Sequence, residues 1–169
     1  MPPSKPHLIL GIDPGTTTGL AAYYPSTQRL TECTSAAFWQ VLHLVRTTYP
    51  PEGRAGIGKV AAVIVEDARS LPLYARHRNT KREARDRVAR NVGRVDMVTT
   101  LIIEWLQAKG YHVQTETPQR RKKWDADTLA RLTGYTLPTN EHGRDAARLV
   151  VGRSVPPRMP VHPNALMTP

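Results

Sequence analysis

The stretch Leu8 to Tyr24, reading LILGIDPGTTTGLAAYY, constrains the fold more than any other part of the chain. Leu8-Ile9-Leu10 is an apolar, partly β-branched run of the kind that forms a buried strand. The run ends on a carboxylate, Asp13, and Pro14-Gly15 then punctuates the chain as a turn. Beyond three threonines and Gly19, a second apolar run opens at Leu20. The pattern predicts strand, tight turn, strand, with an acid where the first strand leaves the core. Burying a carboxylate there is costly unless a cation meets it. The simpler alternative is that Asp13 only caps the turn through nearby amides.

Taken in order, residues 1–6 carry three prolines and read as a loose tail, and 155–169, with five prolines, as a second one; 7–154 form a single domain. A third strand is expected over Gln28 to Thr34, then a helix over Ala36 to Thr48 with Ser35 as its N-cap. Val60 to Val65 is the cleanest buried strand, and it too ends on an acid, Glu66. An irregular segment leads to a long helical pattern from Thr80 to Lys109, its apolar stripe including Val88, Val92, Met97, Leu101, Ile102 and Leu106. A strand over Tyr111 to Glu116, a short helix from Asp125 to Leu132 and a last helix from Glu141 to Val151 complete the series. The order β-β-β-α-β-α-β-α-α predicts an α/β fold, a five-stranded mixed sheet with helices on both faces. The fourth strand is expected beside the first and parallel to it, which sets Asp13 next to Glu66.

Two adjacent carboxylates repel, and one stays protonated unless a cation neutralises both. A third acid, Asp145, lies early in the last helix, within EHGRDAA. Three acids at the ends of separate elements suggest an oxygen-lined site for Mg²⁺ or Mn²⁺. Taken singly, Glu66 is equally a strand cap, and Asp145 a partner for Arg144 or Arg148. The global charge favours a polyanionic partner: 24 Lys and Arg against 14 Asp and Glu give a net +10. A single cysteine, Cys33, excludes an intrachain disulfide and a cysteine-based zinc site. With no run long enough to cross a membrane and no hydrophobic leader at the N-terminus, a cytoplasmic location in a bacterial or phage-infected cell is expected, without membrane partners.

GIDPGTTTG after an apolar strand, VIVE closing another, and HGRDAA in a final helix together resemble the RuvC family of Holliday-junction resolvases, within the RNase H-like nuclease superfamily. The resemblance runs from Leu8 to Gly152 in the right order. It includes Asn91-Val92-Gly93-Arg94 in the long helix, where the family carries a glycine-containing stretch. Divergent loops make the chain look like a phage-type member. The resemblance implies that Asp13, Glu66 and Asp145 bind two divalent ions about 3.5–4 Å apart and that water displaces the 3′-oxygen in line, leaving 5′-phosphates. It implies that His142 is the fourth catalytic group, orienting water or tuning the second ion. Glu141 beside it is the alternative holder of that role. It also implies a homodimer that nicks opposed strands of a branched, four-way DNA junction, with no nucleotide cofactor.

Between Arg76 and Arg94 stand eight cationic residues and two acids, a run readable as a solvated helix face or as a phosphate track. The DNA-binding expectation rests on Arg76, Arg78, Lys81, Arg82, Arg85 and Arg90, and on the cluster Arg120, Arg121, Lys122 and Lys123. Trp124 is available to stack on a base or to pack the following helix. Tyr74 stands where the family carries an aromatic wedge. A sugar-kinase-like ATPase shares the first glycine-threonine motif but needs two such domains. A nuclease of pre-ribosomal RNA and a catalytically dead nucleic-acid binder are the remaining alternatives.

Overall fold

A computed structural model describes residues 7–72, 85–119 and 122–155, the side chains of 85 and 86 aside. Strand β1 (His7–Asp13) runs into the Asp-Pro-Gly turn and back along β2 (Thr17–Tyr24). The fully buried Thr18 ties that turn down, its hydroxyl donating to the Gly15 carbonyl at 2.8 Å. β3 (Arg29–Ala37) follows after Gln28, which takes a positive φ of 54° at the corner. Then come α1 (Phe38–Thr48), β4 (Lys59–Glu66), α2 (Arg85–Ala108), β5 (Val113–Glu116), α3 (Ala126–Thr133) and α4 (Glu141–Val150). A single-turn 3-10 helix, Ala68–Ser70, closes the exit from β4.

The sheet order is β3-β2-β1-β4-β5. β1 pairs antiparallel with β2 and parallel with β4, as expected, and β5 extends the parallel edge. One boundary differs: Ser35 is no helix cap but a strand residue opposite Gly19, because β3 pairs with β2 as far as Ala37. Gln40 instead reaches back to the Ala37 amide at 3.2 Å and secures the start of α1. The long helix passes through Asn91 to Arg94 without a break, and its expected first turn, 80–84, lies outside the described residues.

Alternation along the strands sorts the core into two layers. Leu8, Leu10 and Ile12 of β1 pack with Val63 and Val65 of β4 under α1 and α2, through Val41, Val45, Ile102 and Leu106. Ile9, Ala21, Ala62 and Ile64 face the other way, under Ala146, Ala147 and Val150 of α4 and Leu129 of α3. Helix α2 buries Val92, Val98, Ile102, Ile103 and Leu106. Met97 and Leu101, read from the sequence as part of one stripe, are 60% and 42% exposed. They sit one turn apart, rotated away from the sheet.

Helix α4 rests on glycine. A Cβ at Gly19 would stand 2.0 Å from the His142 carbonyl oxygen, and one at Gly11 2.3 Å from that of Ala146. No side chain fits between this helix and strands β1 and β2 at those points, so its backbone lies directly on the sheet. Gly19→Ala is therefore expected to lower stability by about 2 kcal/mol through overpacking. In contrast, Gly93→Ala, in the exposed middle of α2 with nothing within 4 Å, should raise it by about 0.5–1 kcal/mol. Urea denaturation of the two variants beside the parent chain measures both signs.

Candidate active site

The strand period that buries Ile9 toward α4 also aims Asp13 to that side, and in β4 it does the same for Glu66 after Ile64. Since Ile12 aligns with Val65, the two acids end neighbouring parallel strands at the same edge. Each carboxyl acts on the ionisation of the other, and two desolvated carboxylates this close share a proton. Asp145 reaches the same place from α4, close enough for its charge to act on both. That helix starts at Asn140, whose side-chain oxygen accepts from the Gly143 amide at 3.1 Å and whose amide nitrogen donates to the Ser35 hydroxyl. The three acids singled out in the sequence are thus brought together.

Cations and an imidazole surround them. The His142 Nδ1 lies 3.5 Å from Asp13 Oδ2. Lys123 Nζ donates to Glu141 Oε2 at 3.0 Å and stands 3.1 Å from Asp145 Oδ2. Arg148, one turn beyond Asp145, donates from Nη1 to Asp145 Oδ1 at 3.3 Å. Both oxygens of Asp145 are therefore held by positive charge, while its side chain is only 18% exposed. Of the two residues competing for the fourth role, His142 faces Asp13, and Glu141 faces Lys123.

Lys123 owes its place to backbone anchoring. Arg144 Nε donates to the Trp124 carbonyl at 2.8 Å, and its Nη1 to the Thr139 carbonyl and hydroxyl, each at 3.1 Å. Asp125 caps α3 by accepting from the Thr128 amide at 2.8 Å. The two residues after Lys123 are thus fastened to α4 and α3. Arg144 is spent on this, so Arg148 is the arginine that pairs with Asp145. The half-buried Trp124 packs with the α4-side core and lines a cleft of about 120 Å³ with Glu66, Asp145, Arg148, Glu116 and Arg153.

One group at this edge escaped the sequence reading. Glu116 aligns with Glu66 across β4 and β5 and is neutralised by an ion pair with Arg153. Arg148 was legible only as a bland partner for Asp145; its three-residue spacing was the available signal. Of the expected DNA-binding set, Arg90 and Lys122 are exposed on the surface. Tyr74, Arg76, Arg78, Lys81, Arg82, Arg120 and Arg121 lie outside the described residues, as does the side chain of Arg85. Cys33 is buried, and burial pushes its thiol up to about 12, which leaves it inert.

Burial, first, and the neighbouring acids push Asp13 from the ordinary carboxylate range up to about 7, against the opposing pull of Lys123. Glu66 is pushed up to about 7 by burial and then by Asp13 and Asp145, with Arg148 opposing. Carboxylates that must share a proton to coexist are a donor set that a hard divalent cation relieves. In donor chemistry the residues fit such an ion. Among the described residues, however, no three Asp, Glu, His or Cys side chains stand close enough to enclose one as arranged. Asp145 would have to leave one of its two cations first.

A five-stranded mixed sheet in the order 3-2-1-4-5, covered by helices on both faces, is the RNase H-like architecture. More narrowly, the fold is RuvC-like. The chain is similar to a solved structure described as T. thermophilus RuvC in complex with Holliday junction substrate, at 17% identity over 86% of this chain and 90% of that one, with a TM-score of 0.56. No family model and no curated protein matches the sequence.

The raised acids set a pH dependence. A carboxyl whose folded pKa is raised keeps a proton that the unfolded chain has lost, so stability is fullest below the ordinary carboxylate pKa and is lost as pH climbs through about 7. In EDTA, stability should fall by roughly 1–3 kcal/mol between about pH 5 and pH 8, since each tenfold difference in proton affinity is worth about 1.4 kcal/mol. Asp13→Asn should flatten that decline and be the more stable chain at the upper end. Urea titrations across this range measure it.

Proposed function

We propose that the protein is a metal-dependent, structure-selective DNA endonuclease that resolves four-way junctions by paired nicks and leaves 5′-phosphates. The observation that carries this reading is the convergence of Asp13, Glu66 and Asp145 at one sheet edge of a RuvC-like fold. The strongly basic composition supports a polyanionic substrate.

In this reading Asp13, Glu66 and Asp145 hold Mg²⁺ or Mn²⁺, two ions per site. What the ions supply when bound is Lewis acidity toward the attacking water and the leaving 3′-oxygen. The chain's own groups do the rest. Asp13 and Glu66 give up their shared proton and present negative oxygen at the strand ends. His142, 3.5 Å from Asp13, orients water or accepts its proton. Glu141 holds Lys123 and is the less suited of the two to the fourth role. Arg90, Lys122 and Lys123, with Tyr74, Arg76, Arg78, Lys81, Arg82, Arg85, Arg120 and Arg121, form the DNA-binding set. Cutting opposed strands calls for two sites, hence a homodimer, and the exposed Met97 and Leu101 offer apolar surface for pairing. The chain is read as a phage-type member of this class working in the cytoplasm.

Incubating the protein with Mg²⁺ and an immobile four-way junction should yield symmetric, ligatable nicks. Cleavage of RNA but not of the junction would overturn the substrate assignment. Asp13→Asn should abolish cleavage while gel-shift affinity for the junction is kept or tightened, since a negative charge next to phosphate is removed. Full activity in that variant would remove Asp13 from the site. His142→Ala should slow single-turnover cleavage by about tenfold or more without weakening junction binding. If His142→Ala is silent and Glu141→Gln is dead, the fourth role belongs to Glu141.

A further inference from the structure

The ammonium of Lys123 occupies an unusual position for a solvent-facing lysine. Its side chain is 63% exposed, yet Nζ bridges carboxylates from two successive turns of α4: Glu141 at 3.0 Å and Asp145 at 3.1 Å. Asp145 is largely buried and its other oxygen belongs to Arg148. The backbone directly after Lys123 is held by Arg144 on the Trp124 carbonyl and by the Asp125 cap, which places the lysine beside α4. Arg148 is much less able to withdraw, being itself on α4 and 17% exposed. Lys123 is thus the one of the two cations on Asp145 with room to move.

The geometry points to Lys123 as an exchangeable counter-ion: it neutralises Asp145 and Glu141 in the metal-free protein, is displaced when a divalent cation takes Asp145, and then turns its ammonium to DNA phosphate. This rests on the reading of Asp145 as a metal ligand and adds a coupling that the reading does not contain. A tethered cation on the acids competes with a free one, so metal binding to the DNA-free protein is held weak. A phosphate that draws Lys123 away removes the competitor, and metal and DNA then favour each other reciprocally. The site is suppressed where no polyanion is present, which is a safeguard against loading, and cutting, out of place.

The sign of one measurement decides the matter. Mn²⁺ binding to the DNA-free protein, followed by the electron paramagnetic resonance of free Mn²⁺, should tighten by about fivefold or more in Lys123→Met. Lys123→Arg, which keeps the charge, should restore affinity to near the parent's. Lys109→Met, an exposed lysine just past the end of α2, should stay within about twofold of the parent, because a screened surface charge contributes little. Detectable binding in Lys123→Met alone also supports the exchange. Unchanged or weaker binding in Lys123→Met, equal tightening in Lys109→Met, or no binding in any variant overturns it. Failure of junction cleavage by the parent chain with Mn²⁺ would instead sink the resolvase reading, and the Mn²⁺ comparison would still judge Lys123. The exposed side chain makes unfolding by the substitution a minor concern, and a thermal melt checks it.

Discussion

The direct seating of α4 on Gly11 and Gly19 is the contact on which the rest of the molecule depends. The carbonyls of His142 and Ala146 occupy the space where side chains of β1 and β2 would otherwise stand. A helix placed a side chain's thickness further out would carry Asp145 and His142 away from the strand ends. Ala146 and Ala147, both fully buried, keep the rest of the interface equally thin. The position of these two catalytic candidates is therefore decided by the smallest residues in the fold, far more than by any attraction among the acids, which repel.

That repulsion is what the local packing has to contain. Asp13 and Glu66 are desolvated at the edge of a sheet and coexist by sharing a proton. Lys123 and Arg148 each take one oxygen of Asp145. Arg148, 17% exposed, is the buried partner of the two, and removing it would cost more than the pair contributes, since it strands a charge. The acids are thus held in a poised state: neutral enough to fold, and close enough for added positive charge to be welcome. Glu116 shows the same device at the next strand, with Arg153 as its fixed partner.

Much of this was legible in the residues. The runs Leu8-Ile9-Leu10 and Val60 to Val65 announced the central parallel pair, because strands buried on both faces read as continuous apolar sequence. Their terminal acids then fell side by side by register alone. The boundary of β3 was misread because Ser35 is as good a helix cap as a strand residue locally; pairing with β2 decides between them. Met97 and Leu101 stood in the same apolar stripe as Ile102 and Leu106, with nothing local to separate covered from uncovered positions. Apolar residues along a long helix state which positions are oily, and only the sheet's location fixes which of them are covered.

The sequence by itself determined the element order, the two layers of core, the pairing of Asp13 with Glu66 and the basic character of the surface. All follow from short-range periodicity, turn chemistry and composition. Only the tertiary structure decided that His142 faces Asp13 while Glu141 turns to Lys123, although both lie within one turn of Asp145. It alone showed that Arg144 is consumed by the Trp124 and Thr139 backbone, leaving Arg148 to Asp145. The physical reason is that helical spacing places a residue on an arc. The neighbour it finds there depends on how closely, and at what rotation, the helix is set on the sheet, and here two glycines set it.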